Sequence, residues 1–441
     1  MKARYHYTIE YTIKYFFLGI VFVCIPRLFS ADTPLDFIQD DSVLRISIKD
    51  SWLTESPARA AANRDFTSTL PGGVPVQVRS GRRGNELTVV LARERNGEYP
   101  GWAQGSWIYT RNYTTGAPER IRIFLRSDPW LYVQFRPQGR DKTFMDVVLY
   151  EAYVVRGLSV GIPMDTLLTI PLNEALAAVG DRFPRRYFEP DVRMYRDTGT
   201  FVAKVRTALR GLNYEDDGAL DETGRYVFIE TLKPQPDPVG LNCSGFTKWL
   251  VDGMLRPVTG KRLAITPLKA PAAPRTSSLA ENYENRDPLF GLDWTRNLAL
   301  EAARALRSPD FAALENVEVR RETFAALIDR SRGGTAIKSY PGFLLNAGFS
   351  MEGLRPLLYT LAVNEPGYLY LASISNEGGP APVQRRYYHE AVLVPYFNSY
   401  GVFQALVFES AAETSLDGLL RRHPGALINL VRVPIEGVFE P

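Results

Sequence analysis

The chain has 441 residues, more than a single ordinary hydrophobic core organises, so two or three domains are expected. Its apolar content of 45% and charged content of 23% are those of a soluble globular protein. The formal net charge is only +3, and no run of Lys and Arg is interleaved with aromatic residues, so the sequence predicts no nucleic-acid partner.

Residues 1–31 resemble a secretory signal peptide. Basic residues precede an apolar stretch at 15–25, and the small residues Ser30 and Ala31 follow it. The apolar stretch is short for a bilayer span, which favours a cleaved leader and an exported protein of the periplasm or cell envelope, with no stable membrane insertion afterwards. Glu10 and Arg27 depart from the pattern, so a retained N-terminal anchor is the alternative.

Residues 32–160 are predicted to form a β-sandwich domain, with an immunoglobulin-like architecture as one option. Short runs rich in β-branched and aromatic residues alternate with clusters of Gly, Pro, Asn and Asp. No group of polar residues there points to chemistry, so we interpret this domain as a spacer or binding module. The runs are "SVLRISIK", "VPVQVRS", "ELTVVLARE", "SWIYTRN", "RIRIFLRS", "WLYVQFRP" and "MDVVLYEAYVV".

Residues 161–441 mix helical and strand patterns, so the expected fold class is α+β. Residues 257–365 are interpreted as a long helical insertion in this second domain. Predicted helices are "LNEALAAVG", "TFVAKVRTALRGL", "LDWTRNLALEAARAL", "RRETFAALIDRS" and "MEGLRPLLYTLAV". Predicted strands are "RYVFIET", "PGYLYLASIS", "HEAVLVPYF", "GVFQALVFES" and "ALINLVRVPI".

Cys243 is the only cysteine beyond the leader and stands in "GLNCSGFTKWL". Cys243, Phe246, Leu250 and Met254 form a helical stripe, which places the cysteine at the start of a helix. The N–H groups and dipole of that helix end favour a thiolate and lower a thiol pKa, so Cys243 is a candidate nucleophile. Gly245 leaves room for a substrate or another backbone. The alternative is a cysteine buried as a small hydrophobic residue.

A thiol nucleophile needs a base, and the histidines beyond the leader are His389 and His423. His389 opens a predicted strand, whereas His423 lies in "LLRRHPG" and is interpreted as a helix cap or surface residue. With so few histidines a multi-His metal site is improbable, so neither a metal nor another cofactor is expected.

Glu409 is the candidate orienting residue for His389. A hairpin turn centred between residues 399 and 400 would place His389 opposite Ser410, one residue from Glu409. In that register strict alternation puts the two side chains on opposite faces, so a bulge or a different turn length is required. Gln404, nearer the turn, and Asn398, within it, are the alternatives.

Three segments resemble the NlpC-type papain-like cysteine peptidases, which cleave peptide bonds in bacterial cell walls. "GLNCSGFTKWL" resembles their nucleophile motif, "EPGYLYLASI" a strand that enters their sheet, and "HEAVLVPYF" the strand that begins with their base. "RYVF" is similar to their Tyr-Val-Trp segment. Asn242 and Tyr368 stand where the family commonly has Asp.

The resemblance implies a papain-like domain over 161–441 and an acyl transfer reaction. Cys243 would attack an amide carbonyl, His389 would move the proton, Glu409 would be the third residue, and Tyr226 and Ser244 would bind substrate. Backbone N–H groups at the helix start would hold the oxyanion, and the insertion would be a lid or specificity element. A cell-wall peptide is the implied substrate. The alternative is a catalytically degenerate envelope protein that binds or acts as a scaffold.

Overall fold

The computed structural model describes residues 32–69, 73–274, 287–320, 328–329, 342–344, 347–378 and 384–441. The predicted leader at 1–31 lies outside the described residues, and so does the predicted helix "RRETFAALIDRS", apart from its first residue and the backbone of Ile328–Asp329. From Ala31 to Pro441 the chain forms one unit of mixed helix and sheet, which confirms the α+β class.

The strands are numbered in chain order. They are β1 Phe66–Ser68, β2 Val76–Arg83, β3 Glu86–Arg93, β4 Trp107–Asn112, β5 Pro118–Ile123, β6 Leu131–Gln138, β7 Lys142–Leu149, β8 Ala152–Val160, β9 Gly218–Leu220, β10 Tyr226–Phe228, β11 Ile328–Asp329, β12 Phe343–Leu344, β13 Gly348–Ser350, β14 Tyr368–Gly378, β15 Gln384–Phe397, β16 Phe403–Glu409, β17 Ala412–Ser415 and β18 Leu427–Pro434.

The α-helices are numbered in the same way. They are α1 Ser42–Ser47, α2 Pro57–Ala61, α3 Met164–Leu167, α4 Leu172–Ala177, α5 Arg196–Ala208, α6 Cys243–Thr259, α7 Ile265–Leu268, α8 Phe290–Leu306, α9 Leu314–Val317, α10 Leu354–Asn364 and α11 Leu416–Arg422. Short 3₁₀ or π turns lie at Leu35–Phe37, Lys49–Leu53, Gly180–Arg182, Arg185–Tyr187, Val192–Tyr195, Pro309–Phe311 and Met351–Gly353.

The N-terminal strands form one sheet of nine in which β1 to β8 are neighbours in sequence order and β11 joins β8 in parallel. Alternate residues of β2 and β3 are buried, as expected for strands with one face on a core. Hydrogen bonding therefore continues through a single meander and does not divide the strands between the two sheets of the expected sandwich. The meander ends at Val160, where the first domain was predicted to end.

One predicted strand, "SVLRISIK", is a helix followed by a π turn. Leu44 and Ile48 are buried four residues apart, a helical spacing. Arg45 between them is also buried and donates to the carbonyl oxygens of Leu168 and Ile170. These long-range partners accept from Nε and Nη2 of the buried guanidinium, and no local pattern predicts them.

The second sheet has seven strands in the order β12-β13-β18-β14-β15-β16-β17. Residues from one of its faces share a core with α6 and α8, including Leu371, Val392 and Val394. Residues from the other face, such as Ala391 and Leu393, belong to a core that also contains the nine-stranded sheet, α10 and α11. The core thus continues across the domain boundary predicted at 160.

The described part of the 257–365 segment is integral to this core, which corrects the expectation of a lid. Helix α8 packs against α6, β14, β15 and β18, and its Trp294 is fully buried. Strand β13 pairs with β18, while α10 packs on β15 and β16. In the described ranges, no helix combines the length and the apolar character needed to cross a membrane.

Candidate active site

Helix α6 begins at Cys243, as the apolar stripe predicted. Asn242 is the N-cap, and its side-chain oxygen accepts a hydrogen bond from the Gly245 N–H at 2.7 Å. Asn and Asp cap helices equally well, so the replacement of the family's Asp leaves the helix start intact. A Cβ at Gly245 would lie 1.9 Å from the Gly218 carbonyl oxygen, so this glycine lets the helix approach another backbone, that of β9.

The Cys243 thiol is free and half-buried, and it interacts directly with Glu390 of β15. The Glu390 carboxyl is only 2% exposed and accepts a hydrogen bond from Ser244 Oγ at 2.9 Å. Gly291 of α8 makes room for this carboxyl, because a Cβ there would lie 2.1 Å from Glu390 Oε1. The first turns of α6 and α8 therefore enclose the Cys243 thiol and the Glu390 carboxyl.

The environment of Cys243 opposes ionisation. Burial raises the pKa of the thiol, and the charge and hydrogen bond of Glu390 raise it further, against smaller opposite effects of the Glu390 N–H and Ser244. Burial also raises the pKa of Glu390, while Cys243, Ser244 and His389 oppose that rise. The net direction for Cys243 is opposite to the one predicted from the helix dipole, because burial and the adjacent carboxyl together outweigh the partial charges at a helix end.

His389 and Glu409 meet as the sequence predicted, with His389 Nε2 and Glu409 Oε2 2.7 Å apart. The register explains how. Val392 pairs with Phe408 and Phe397 with Phe403, so the hairpin is one residue longer than the predicted turn. Glu409 is therefore opposite Ala391, two residues from His389 and on the same face. No bulge between β15 and β16 is needed.

Several donors surround the Glu409 carboxylate. Burial would raise its pKa, but hydrogen bonds from His389 and Thr414 and the charges of His389 and Arg422 hold the pKa at about 2. Glu409 is thus ionised at neutral pH and accepts from His389 Nε2–H, so in a neutral His389 ring the unprotonated nitrogen would be Nδ1. Nδ1 has no hydrogen-bond partner within the described ranges.

Cys243 and His389 lie at opposite faces of β15. Glu390 pairs with Ser373, which bonds to the Gly291 carbonyl oxygen of α8, so Glu390 lies on the face covered by α6 and α8. By alternation His389 lies on the other face. In the part of the chain that is described, no hydrogen bond joins the thiol to the imidazole, so the Cys243–His389 couple stays a prediction.

His423 caps the C-terminus of α11, as expected, but it also stacks on His389 with ring centroids 5.3 Å apart and planes at 21°. Its Nδ1 lies 2.9 Å from Tyr388 Oη. Burial and the charges of His389 and Arg422 lower the pKa of His423 against an opposite effect of Glu409. His389, Glu409 and His423 each offer a ligand atom within 4.8 Å of the others.

The two residues predicted to bind substrate, Ser244 and Tyr226, lie on α6 and β10. Ser244 is buried, and its hydroxyl is used by Glu390, so it faces the core and not a substrate. Tyr226 is half-buried on β10 opposite Leu220, and no hydrogen bond or ring contact links it to Cys243 in the described structure. Both assignments came from the resemblance, which did not specify side-chain direction.

The alternative orienting residues are displaced from His389. Gln404 pairs with Tyr396, seven residues along β15 from His389. Asn398 is occupied in the turn, where its side chain accepts from the N–H groups of Tyr400 and Val402. Glu409 is accordingly the one of the three that contacts the imidazole.

Sequence reasoning missed Glu390 and Tyr214. Glu390 follows His389 directly, and strand alternation was the signal that one of the two would face the helix. Tyr214 is exposed, and among the causes that raise its pKa, after burial and Asp216, is the Cys243 thiol. Its segment is fixed to the nucleophile motif by the Leu241 N–H, which donates to the Asn213 carbonyl oxygen at 2.9 Å.

Comparisons with known proteins add a single family match. Residues 34–187 match a family described as "Domain of unknown function (DUF8515)". The match covers the nine-stranded meander except β11 and extends to the 3₁₀ turn at Arg185–Tyr187, so it does not include the residues around Cys243. Neither the curated proteins nor the solved structures give a significant match.

Proposed function

We propose that the protein is a cysteine hydrolase that cleaves an amide bond through a thioacyl intermediate. Cys243 is the nucleophile, His389 accepts the thiol proton at Nδ1, and Glu409 orients the imidazole through Nε2. The observation that carries this assignment is the His389–Glu409 hydrogen bond of 2.7 Å, on a strand whose next residue contacts the free thiol. A base held in one tautomer is one part of the arrangement that nucleophilic catalysis requires, and its approach to the thiol is part of the proposal.

The start of α6 supports the same reaction. The Gly245 N–H is used by Asn242, but the N–H groups of Cys243 and Ser244 have no acceptor among the described residues. Unpaired N–H groups beside the attacked carbonyl stabilise the negative oxygen of a tetrahedral intermediate. Because Glu390 interacts with the thiol and His389 lies on the other face of β15, the proposal requires a conformational change that brings the thiol and the imidazole together.

The fold proposed for residues 161–441 is a papain-like domain of the NlpC type, and the substrate is a cell-wall peptide. The order of Cys243 and His389 in the chain and the packing of the nucleophile helix on an antiparallel sheet support this assignment. Export of the mature chain to the periplasm or cell envelope is part of the proposal. The nine-stranded meander would then serve as a spacer or binding module.

A non-catalytic envelope scaffold is the second candidate, and Glu390 is the observation that favours it. Its carboxyl interacts with the Cys243 thiol and raises the thiol pKa, which reduces the thiolate fraction at neutral pH. In this interpretation Cys243 is a structural residue of the α6–β15 contact.

Incubation with purified peptidoglycan and mass spectrometry of the released muropeptides separates the two candidates. The hydrolase predicts new fragments with the wild type and none with Cys243→Ala. Iodoacetamide labelling provides a second measurement that needs no substrate. Labelling of the folded chain that slows in His389→Ala supports the enzyme, whereas labelling that requires denaturant supports the scaffold.

A further inference from the structure

The two histidines beyond the leader lie together on the face of β15 opposite α6. His389, Glu409 and His423 each present one ligand atom, and these three atoms are within 4.8 Å of one another. Donors in a tetrahedral zinc site with bonds of about 2.0–2.1 Å are about 3.3 Å apart. The three donors are therefore close enough for side-chain rotations to bring them onto one ion.

His423 carries the second observation. Its Nε2 is shielded from solvent and has no hydrogen-bond partner among the described residues. A buried imidazole nitrogen without a partner costs free energy, and coordination to a metal would remove this cost. The other nitrogen, Nδ1, lies 2.9 Å from Tyr388 Oη, which can hold the Nδ1–H tautomer that leaves the Nε2 lone pair free.

Glu409 supplies the negative charge that such a site needs. Its carboxylate is nearly fully buried and already accepts from His389, Thr414 and Arg422. The Arg422 side chain is 46% exposed, so it can turn into solvent and leave Thr414 as the remaining donor to Glu409 Oε1. The imidazole planes must also rotate from their near-parallel stacking, because a ring nitrogen coordinates in the plane of its ring.

We propose that His389, Glu409 and His423 bind a divalent transition-metal ion, with zinc as the preferred ion. Two imidazoles and one carboxylate suit zinc better than magnesium or calcium, which prefer oxygen ligands. Three protein ligands leave a fourth position for solvent.

Metal binding at this site would switch off the proposed hydrolase, a consequence that rests on the proposed function. A metal on His389 Nε2 takes the place of the proton shared with Glu409. The remaining proton of the neutral ring then resides on Nδ1, which can no longer accept the proton of Cys243. Zinc would thus inhibit by fixing the wrong tautomer and without contacting the thiol.

Zinc affinity is measured by competition with a chromogenic chelator, using the full chain as Cys243→Ala so that the thiol cannot coordinate. We expect one zinc per chain, and a loss of at least 100-fold in affinity in both His389→Gln and His423→Gln. Tyr388→Phe, which removes only the partner of Nδ1, weakens binding by about 10–100-fold. Arg422→Ala strengthens it, and His6→Gln, which removes the remaining histidine, leaves it unchanged.

The site is refuted if Cys243→Ala binds no zinc, or if His423→Gln binds it as tightly as its parent while thermal unfolding in chelator confirms that both are folded. Inhibition is tested separately with Cys243 restored. Zinc should stop muropeptide release by the wild type but should not inhibit His423→Gln. Muropeptide release that increases with zinc would refute inhibition. An absence of hydrolysis in every variant would refute the proposed function and leave the metal titration to decide the site.

Discussion

A buried carboxyl lies at each face of the sheet beside β15, one contributed by β15 and the other by β16, yet the two carboxyls behave in opposite ways. Glu390, beside Cys243, is 2% exposed, and Glu409, beside His389, is 5% exposed. Burial raises the pKa of Glu390 above its ordinary value, whereas the pKa of Glu409 is held at about 2. Similarly low solvent exposure therefore does not by itself determine the charge of a carboxyl.

The difference lies in the donors. Glu409 receives an imidazole N–H, a hydroxyl and a guanidinium, whose hydrogen bonds and charge outweigh desolvation. Glu390 receives the Ser244 hydroxyl and the thiol, and neither brings a positive charge. One face thus stabilises an anion beside the His389 imidazole, and the other keeps a proton on or near the Cys243 thiol.

Glu409→Gln is expected to have the largest effect on stability. The fall of the Glu409 pKa from 4.5 to about 2 corresponds to about 3 kcal/mol of unfolding free energy. Because the pKa is lower in the folded state, this stabilisation is complete above about pH 4.5 and is lost as the pH falls through about 2. Urea unfolding of both proteins across this pH range measures it.

Glu413→Gln is the matched control for that measurement. Glu413 forms an ion pair with Arg206, but its side chain is 29% exposed. An exposed pair contributes about 0–1 kcal/mol. Equal losses in the two variants, or a loss in Glu409→Gln that does not decline with pH, would contradict the account of Glu409.

Gly291→Ala tests the space around the other carboxyl. The new Cβ would lie 2.1 Å from Glu390 Oε1 and 3.2 Å from the Tyr387 carbonyl oxygen. Overpacking of this kind costs about 1–3 kcal/mol, which exceeds the gain in helix propensity. Gly199→Ala in α5 meets nothing within 4 Å and should instead raise the free energy of unfolding. Destabilisation by both changes would show that space around Glu390 is not the cause.

The sequence predicted the helix start at Cys243 and the proximity of His389 to Glu409, but it did not predict that Glu390 contacts the thiol. Cys243 at a helix start and His389 beside Glu409 follow from local patterns, apolar spacing in one case and hairpin proximity in the other. The register was wrong by one residue because Asn398 accepts two backbone N–H groups and lengthens the turn. The sequence shows that an Asn able to accept backbone hydrogen bonds stands in the turn, but it does not show how many residues the turn then contains.

Glu390 could not have been assigned to the thiol from the sequence. Alternation states that residues 389 and 390 point in opposite directions, but it does not state which face α6 will cover. That choice depends on how α8 packs, and α8 belongs to the segment interpreted as a lid. Gly291, which makes room for the carboxyl, lies 99 positions before Glu390. A contact of this range leaves no local pattern.

Glu390→Gln should increase the reactivity of the thiol. The amide keeps the shape of the carboxyl and an acceptor for Ser244, but it removes the negative charge that raises the Cys243 pKa. We expect iodoacetamide labelling at pH 7 to accelerate at least about tenfold, which corresponds to about 1.4 kcal/mol, with the rate–pH midpoint at a lower pH. Glu390→Asp, which keeps the charge, is the control. An unchanged midpoint in Glu390→Gln would mean that Glu390 carries the shared proton already.

Thr414→Val makes the smallest change in the comparison, because it removes one of three donors from Glu409. The hydroxyl donates to Glu409 Oε1, while His389 and Arg422 remain in place. The loss should be about 1 kcal/mol in urea unfolding at pH 7. Thr414→Ser retains the hydroxyl and separates this hydrogen bond from the packing of the methyl group. The pKa of Glu409, followed by NMR, should rise in Thr414→Val and stay low in Thr414→Ser. If it stays low in both, the hydroxyl is not among the donors that keep Glu409 ionised, and the contrast between the two carboxyls depends on His389 and Arg422 alone.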